Sequence, residues 1–397
     1  MLAKGGGIPY RKAPFPEWPI YDEREEAQIK EVLQSHNWWR VSGCKVNEFE
    51  AKFAAFQGCN YCLGVTNGTS AIELALTALQ IGAGDEVIVP AMTFISTGLA
   101  VINCNATPVL VDIDPYTLCM MPDQFEMAIS ERTKAVIPVH MAGNACFIEK
   151  ICDIARKHNL YVIEDAAHAH GGEYRGKRLG SFGDAAIFSF QNGKLMTCGE
   201  GGALLTNNKE VYDRAYLIQD VGRPRGDKLY KHLVRGDNFR MNEFQAAILL
   251  AQLERVDEYN QLRHKNASLL DRLLVEDVKG IIPQCYTKGT NIVSHYMYMF
   301  YYDKTYFGEI SRDHFVELLN GEGIPSNVCF PVMSEVDFCS DNDFGGRIVD
   351  KVVKQAWPNA ERAAHECVWL HHRVLEGGEQ DICDIVGAIK KIQNSLI

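Results

Sequence analysis

The chain has 397 residues and a net charge of -11, so it exceeds the usual size of one core and carries the wrong sign for bulk attraction to nucleic acid or anionic lipid. Hydrophobic residues at 47% and charged residues at 23% are globular proportions, and no stretch is apolar for long enough to cross a bilayer. These bounds favour a soluble enzyme or binding protein for a small molecule.

The opening MLAKGGG lacks the charged and then apolar pattern of a secretory signal, so the thirteen cysteines are expected as thiols and the protein as cytoplasmic. Cys59 and Cys62 are closely spaced, but no second pair follows at zinc-ligand spacing. Three parts are expected: an N-terminal arm over 1–20, a large α/β domain over 21–255, and a small α+β domain over 256–397.

Within the large domain, VTNGTSAIELALTALQ reads as a strand end turning through Asn67, Gly68, Thr69 and Ser70 into a helix with Ile72, Leu74, Ala75, Leu76 and Leu79 buried. The first N–H groups of such a helix suit an anion, although an ordinary N-cap has the same signature. From residue 86 onward short apolar runs follow: EVIVPAMTF, ATPVLVDID, KAVIPVH, LYVIEDAA, AAIFSF and GALLTN, with FIEKICDIARKH suited to a crossover helix. This is a mostly parallel, doubly wound α/β pattern, in which ligands lie beyond the C-terminal ends of strands. Phe94, Asp165 and the segment leading to Lys194 fall there. Residues 242–270 read as one long connecting helix. Strand-like HYMYMFYYD and the helical SRDHFVELLNGEG and QDICDIVGAIKKIQNSL complete the chain.

Lys194 follows Gly193 at the end of an apolar run, but the segment lacks the glycine and Ser/Thr positions of a nucleotide phosphate loop. A desolvated lysine has a lowered pKa and can form a Schiff base with a carbonyl. If that carbonyl belongs to pyridoxal 5'-phosphate, the ring nitrogen needs a carboxylate, the phosphate needs backbone donors, and one ring face needs a flat partner. Asp165 ends an apolar strand and suits the first need. His168 is three residues on, within reach of a ring oxygen, while the whole Asp165, His168, His170 stretch also admits a buried polar network or a metal. Gly68, Thr69 and Ser70, with Ser189, suit the phosphate. Phe94 suits the ring face or simply the core.

The succession TNGTSA, PAMTFIS, EDAAHAHG, SFQNGK, GEGGA and GDNFRMNEFQAA resembles the DegT/StrS family of pyridoxal-phosphate sugar aminotransferases, whose fold is that of aspartate aminotransferase, fold type I. The resemblance implies that Lys194 holds the cofactor, Asp165 pairs with its ring nitrogen, His168 contacts its phenolic oxygen and Phe94 stacks on the ring. Gly68, Thr69, Ser70 and Ser189 then form the phosphate cradle. It further implies a homodimer with shared active sites, in which Asn238 reaches the neighbouring subunit's cofactor phosphate. FPEWPIYDEREEAQIKEVLQSHNWWR, SFQNGKLMTCGEGGA, VGRPR, SHYMYMF and CVWLHHRVL resemble the branch that contains 3-amino-5-hydroxybenzoate synthase. The chain departs from the commoner pattern in segments expected on the substrate side: Trp38-Trp39-Arg40, His295-Tyr296 and His371-His372-Arg373. The expected activity is amino transfer from glutamate or glutamine to a keto-sugar or cyclitol ketone. Dehydrating aromatisation of an aminocyclohexenone, and a regulatory protein that binds the cofactor without turnover, are the alternatives.

Overall fold

The structure, a computed structural model, describes residues 1–340, 345 and 356–396. Nine strands precede residue 210: β1 (Tyr61–Val65), β2 (Glu86–Pro90), β3 (Thr107–Val111), β4 (Thr133–Val136), β5 (Tyr161–Asp165), β6 (Glu173–Tyr174), β7 (Lys177–Arg178), β8 (Ala185–Ser189) and β9 (Gly202–Thr206). Seven of them form the large sheet, in the order β1-β9-β8-β5-β4-β2-β3. Pairings from β3 to β8 are parallel, whereas β9 runs antiparallel to both β8 and β1. Every residue of β2, β8 and β9 is buried, as expected of strands covered on both faces.

Among the described residues five further strands follow: β10 (Ile281–Pro283), β11 (Thr290–Ile292), β12 (Met297–Tyr302), β13 (Ser326–Val328) and β14 (Cys367–His371). Four of them form an antiparallel sheet, β10-β12-β14-β13, while β11 joins β6 and β7 in a small third sheet. Strand β12 is buried along its whole length because its two faces meet different cores. Met297, Met299 and Tyr301 pack into the core of the large sheet, and Tyr298, Phe300 and Tyr302 pack into a second core with Phe15, Leu270 and Ile389.

The helix expected over 242–270 is two helices, Glu243–Leu253 and Val256–Asp277. At the break, the N–H groups of Glu254 and Arg255 bond carbonyls three residues back, tightening the turn. The Arg255 guanidinium is then fixed by Glu25 at 2.5 Å and Asp22 at 3.0 Å. Among the described residues no helix is long and apolar enough to cross a membrane.

Candidate active site

Lys194 lies on the loop between β8 and β9. Because β9 turns back antiparallel, both ends of this loop are pinned at the same edge of the sheet: Phe190 N–H donates to the Gly201 carbonyl at 2.8 Å and Cys198 N–H to the Phe190 carbonyl at 3.1 Å. Inside the loop, Lys194 N–H donates to the Gln191 carbonyl at 2.8 Å. The side chain is buried, and its Nζ stands 4.2 Å from the centroid of the Tyr296 ring. Burial pulls the ammonium down to about 8, against the opposing charge of Asp165.

Asp165 ends β5, the neighbour of β8, so the carboxylate and the amine open on one cavity. Its Oδ2 accepts from the Thr97 hydroxyl at 2.9 Å and its Oδ1 from the Ala167 N–H at 3.2 Å. Burial nevertheless pushes the carboxyl up from its ordinary range, so the anion at this position is undercompensated. His168 stacks on Tyr296 at 4.3 Å and 21°. Burial, and then the charge of Lys194, hold its imidazole neutral, and its buried Nδ1 has no hydrogen-bond partner among the described residues. His170 points the other way: its Nε2 donates to the Ser189 carbonyl at 2.9 Å and its ring packs against Phe188 and Phe190.

The helix Gly68–Ala78 starts at the same edge. Asn67 caps it by accepting the Ser70 N–H at 2.8 Å, and the Gly68 and Thr69 N–H groups have no helical carbonyl to bond, as at any helix start. A side chain at residue 68 would stand 2.9 Å from the Ser189 Cβ, so glycine is what lets the helix start approach β8. Gly68, Thr69, Ser70 and Ser189 all line the cavity, and Thr69 donates to Ser96 at 2.8 Å.

The cavity has a volume of about 710 Å³. Four aromatic side chains stand in the rest of its lining, beside polar residues such as Gln191 and Glu200 and aliphatic ones such as Ile72 and Val139. Phe94 is 53% exposed and meets Phe330 edge to face at 6.1 Å; Phe330 lies over His168 at 6.3 Å and 17°; Tyr296 and Trp369 are the other two. Phe330, Trp369 and Thr97 escaped the reading of the sequence. Thr97 carried a signal, since Thr93 and Thr97 are one helical turn apart just after an apolar run, and their hydroxyls meet at 3.2 Å.

The segments expected on the substrate side divide. Only Tyr296 among them lines the cavity. Arg40 is buried in a two-pronged ion pair with Glu50, at 2.6 and 3.1 Å, and braces β1 through the Gly64 N–H, which the same carboxylate accepts. Trp38 and Trp39 are half exposed outside the cavity, Trp39 beneath the guanidiniums of Arg223 and Arg240. His295 packs between His264 and Tyr286, and His371 caps the turn that follows it. Asn238 is exposed, paired with Asp220 through a backbone bridge, and outside the cavity of its own chain.

The model of the DegT/DnrJ/EryC1/StrS aminotransferase family matches residues 19–390. The chain is 42% identical over 375 residues to the 3-amino-5-hydroxybenzoate synthase of Amycolatopsis mediterranei (strain S699), covering 94% of this chain and 96% of the relative. It is 35% identical to the L-glutamine:2-deoxy-scyllo-inosose aminotransferase of Streptomyces paromomycinus, covering 98% and 97%. The crystal structure of a 3-amino-5-hydroxybenzoic acid synthase superposes with a TM-score of 0.90 at 39% identity, over 97% of this chain and all of that one.

Proposed function

This chain belongs to the DegT/DnrJ/EryC1/StrS aminotransferase family, and from that premise we propose that it transfers an amino group from glutamate or glutamine to the ketone of a keto-sugar or cyclitol, with pyridoxal 5'-phosphate as cofactor. The observation that carries this reading is the convergence of Lys194 and Asp165, an amine with a lowered pKa and an undercompensated carboxylate, on one cavity.

The residues fit that cofactor. The helix start at Gly68, with the hydroxyls of Thr69, Ser70 and Ser189, offers a phosphate both backbone and side-chain donors. Asp165 lacks a full counter-charge, which a protonated ring nitrogen supplies. The orphaned Nδ1 of His168 supplies a partner for the phenolic oxygen, and Phe94 a flat apolar face. When bound, pyridoxal phosphate contributes the carbonyl that takes up the amino group and the ring that draws off the electron pair left by the departing α-proton.

The chain's own groups handle the protons. Lys194 Nζ would hold the cofactor by its carbonyl carbon and, when free, would be the tethered base that takes the proton from the donor α-carbon. A pKa of about 8 leaves a useful fraction of the amine unprotonated near neutrality, and the same Nζ can return the proton on the acceptor side. Asp165, its Oδ2 fixed by Thr97, would keep the ring nitrogen of the bound cofactor protonated. Phe330 and Trp369 take no part in proton transfer and shape the space for the substrates.

A single-turnover screen tests the reaction: the pyridoxamine phosphate form is mixed with keto-sugars, inososes and aminodehydroshikimate, and the return of the cofactor's absorbance is followed. Amination of an inosose or keto-sugar is the expected result. Absence of amination with every ketone, alongside aromatisation of an aminocyclohexenone, overturns it. The assembly we propose is a homodimer in which Asn238 of one chain completes the phosphate site of the other, supported by the exposure of Asn238 outside its own cavity. Mixing Lys194→Ala with Asn238→Asp chains should restore part of the activity that each lacks, and mixed dimers that recover none would refute the shared site.

A further inference from the structure

The two peptide carbonyls that precede Lys194 are each held by a side chain from far along the sequence. Trp18 Nε1 donates to the Asn192 carbonyl at 2.8 Å, and His372 Nε2 stands 3.3 Å from the Gly193 carbonyl. The two rings also touch, edge to face, at 4.5 Å. His372 is fully buried, and its other nitrogen, Nδ1, lies 2.9 Å from Glu376 Oε1. Neither partner has a hydrogen to give, since one is a carbonyl and the other a carboxylate held near 2 by His372 and Arg263 despite burial. A neutral imidazole has one N–H and satisfies one of them. The doubly protonated ring satisfies both.

The network continues to the other catalytic segment. Arg263 pairs with Glu376 at 2.7 Å, donates to the Ser294 carbonyl at 2.9 Å and to Asn260 Oδ1 at 2.5 Å. Ser294 Oγ in turn donates to the His168 carbonyl at 2.8 Å, and Asn260 Nδ2 to the His170 carbonyl at 2.8 Å. One buried guanidinium thus joins the backbone beside Lys194 to the backbone at His168.

We propose that His372, as an imidazolium bridging Glu376 and the Gly193 carbonyl, is a positioning residue that together with Trp18 clamps the Lys194 loop. Burial leads in pulling the ring below the ordinary histidine range and the charge of Arg263 acts the same way, while the Glu376 and Gly193 contacts offset part of that fall, so the bridging imidazolium is the form on the acid side of neutrality. The other titratable groups around the ring are His371, at 4.2 Å between centroids, and Tyr296, at 6.4 Å. His371 is kept neutral by burial and by the charge of His372. As pH rises and the ring loses its Nε2 proton, the Gly193 bond is lost and the loop loosens.

The proposal rests on Lys194 being the reactive amine, and its test separates the two ideas by reading the lysine directly in the cofactor-free protein. Competitive acetylation of Lys194, quantified by mass spectrometry, is compared in the wild type, His372→Phe, His372→Gln and Trp18→Phe. His372→Phe should accelerate labelling about threefold through local opening and lower kcat about tenfold with KM nearly unchanged, the loss of one hydrogen bond. His372→Gln, which returns one donor, should recover part of both. The gap between wild type and His372→Phe should close as pH rises. In ¹⁵N-histidine spectra on the acid side of the ordinary histidine pKa, at ~pH 5.5, one ring with both nitrogens protonated should be present in the wild type and missing from His372→Phe. A neutral His372 at that pH, or unchanged labelling and kcat in His372→Phe, overturns the clamp. If His372→Phe does not fold, Trp18→Phe at the half-buried arm decides through the Asn192 carbonyl, with unchanged labelling as the refuting result.

Discussion

Where β5 and β8 end, the cavity presents Asp165, His168 and Lys194, groups whose protonation is governed by burial and by one another; on its aromatic side, Phe94, Phe330, Tyr296 and Trp369 present ring faces and edges. The first side belongs to the large sheet and its helix starts. The second draws three of its four residues from segments around β12, β13 and β14. The contrast separates proton handling from selection by shape, and substitutions on the two sides should fail in different ways.

The largest effect is expected from Lys194→Ala. Turnover should fall by at least about 10⁴-fold, because one side chain supplies both anchor and base. Thermal unfolding should show a folded protein, since a buried ammonium is removed and not a core residue. Borohydride reduction of the wild type followed by peptide mapping should place the cofactor on Lys194, and an adduct on another lysine would break the assignment.

Asp165→Asn should lower kcat by about 10²–10³-fold, as an amide cannot hold the ring nitrogen protonated. It should also move the lysine. In the cofactor-free wild type the amine is freed as pH rises through about 8, well below an ordinary lysine. The Asp165 anion raises that value, so its removal should shift the labelling midpoint further down. A midpoint that stays in place would show that the two groups are not coupled.

Trp369→Leu should have the smallest effect: KM for the acceptor ketone up by about tenfold, kcat within about twofold. A large fall in kcat would erase the distinction between the two sides.

The polar side was legible because it breaks a local pattern. A carboxylate ending the apolar run YVIED and a lysine just past AAIFSF are anomalies that burial would penalise without a partner, and both stand where strands of a parallel sheet end. Phe330 and Trp369 break nothing. They are aromatic residues in apolar surroundings, and only the docking of the second sheet against the first decides that they face a cavity. Tyr296 differs from His295 by one position on a strand-like run, and a sequence cannot say which of the two turns inward. The direction of β9 had a signal that passed unread: residues 190–201 hold no helix, and parallel neighbours need a crossover. The break at Arg255 had none, since it answers to Glu25, some 230 residues away in the chain.

The tethers on the lysine loop also bear on the order in which the protein matures. Trp18 is 174 residues before the carbonyl it holds, and His372 is 179 residues after its own. While the chain is being synthesised, the large sheet can pair from local hairpins and crossovers long before residue 372 emerges, and Lys194 then sits on a loop fastened only by its neighbours. Competence comes at the last docking event, when opposite ends of the sequence meet over residues 192 and 193. A nascent or clipped chain would carry the reactive amine without the grip that aims it.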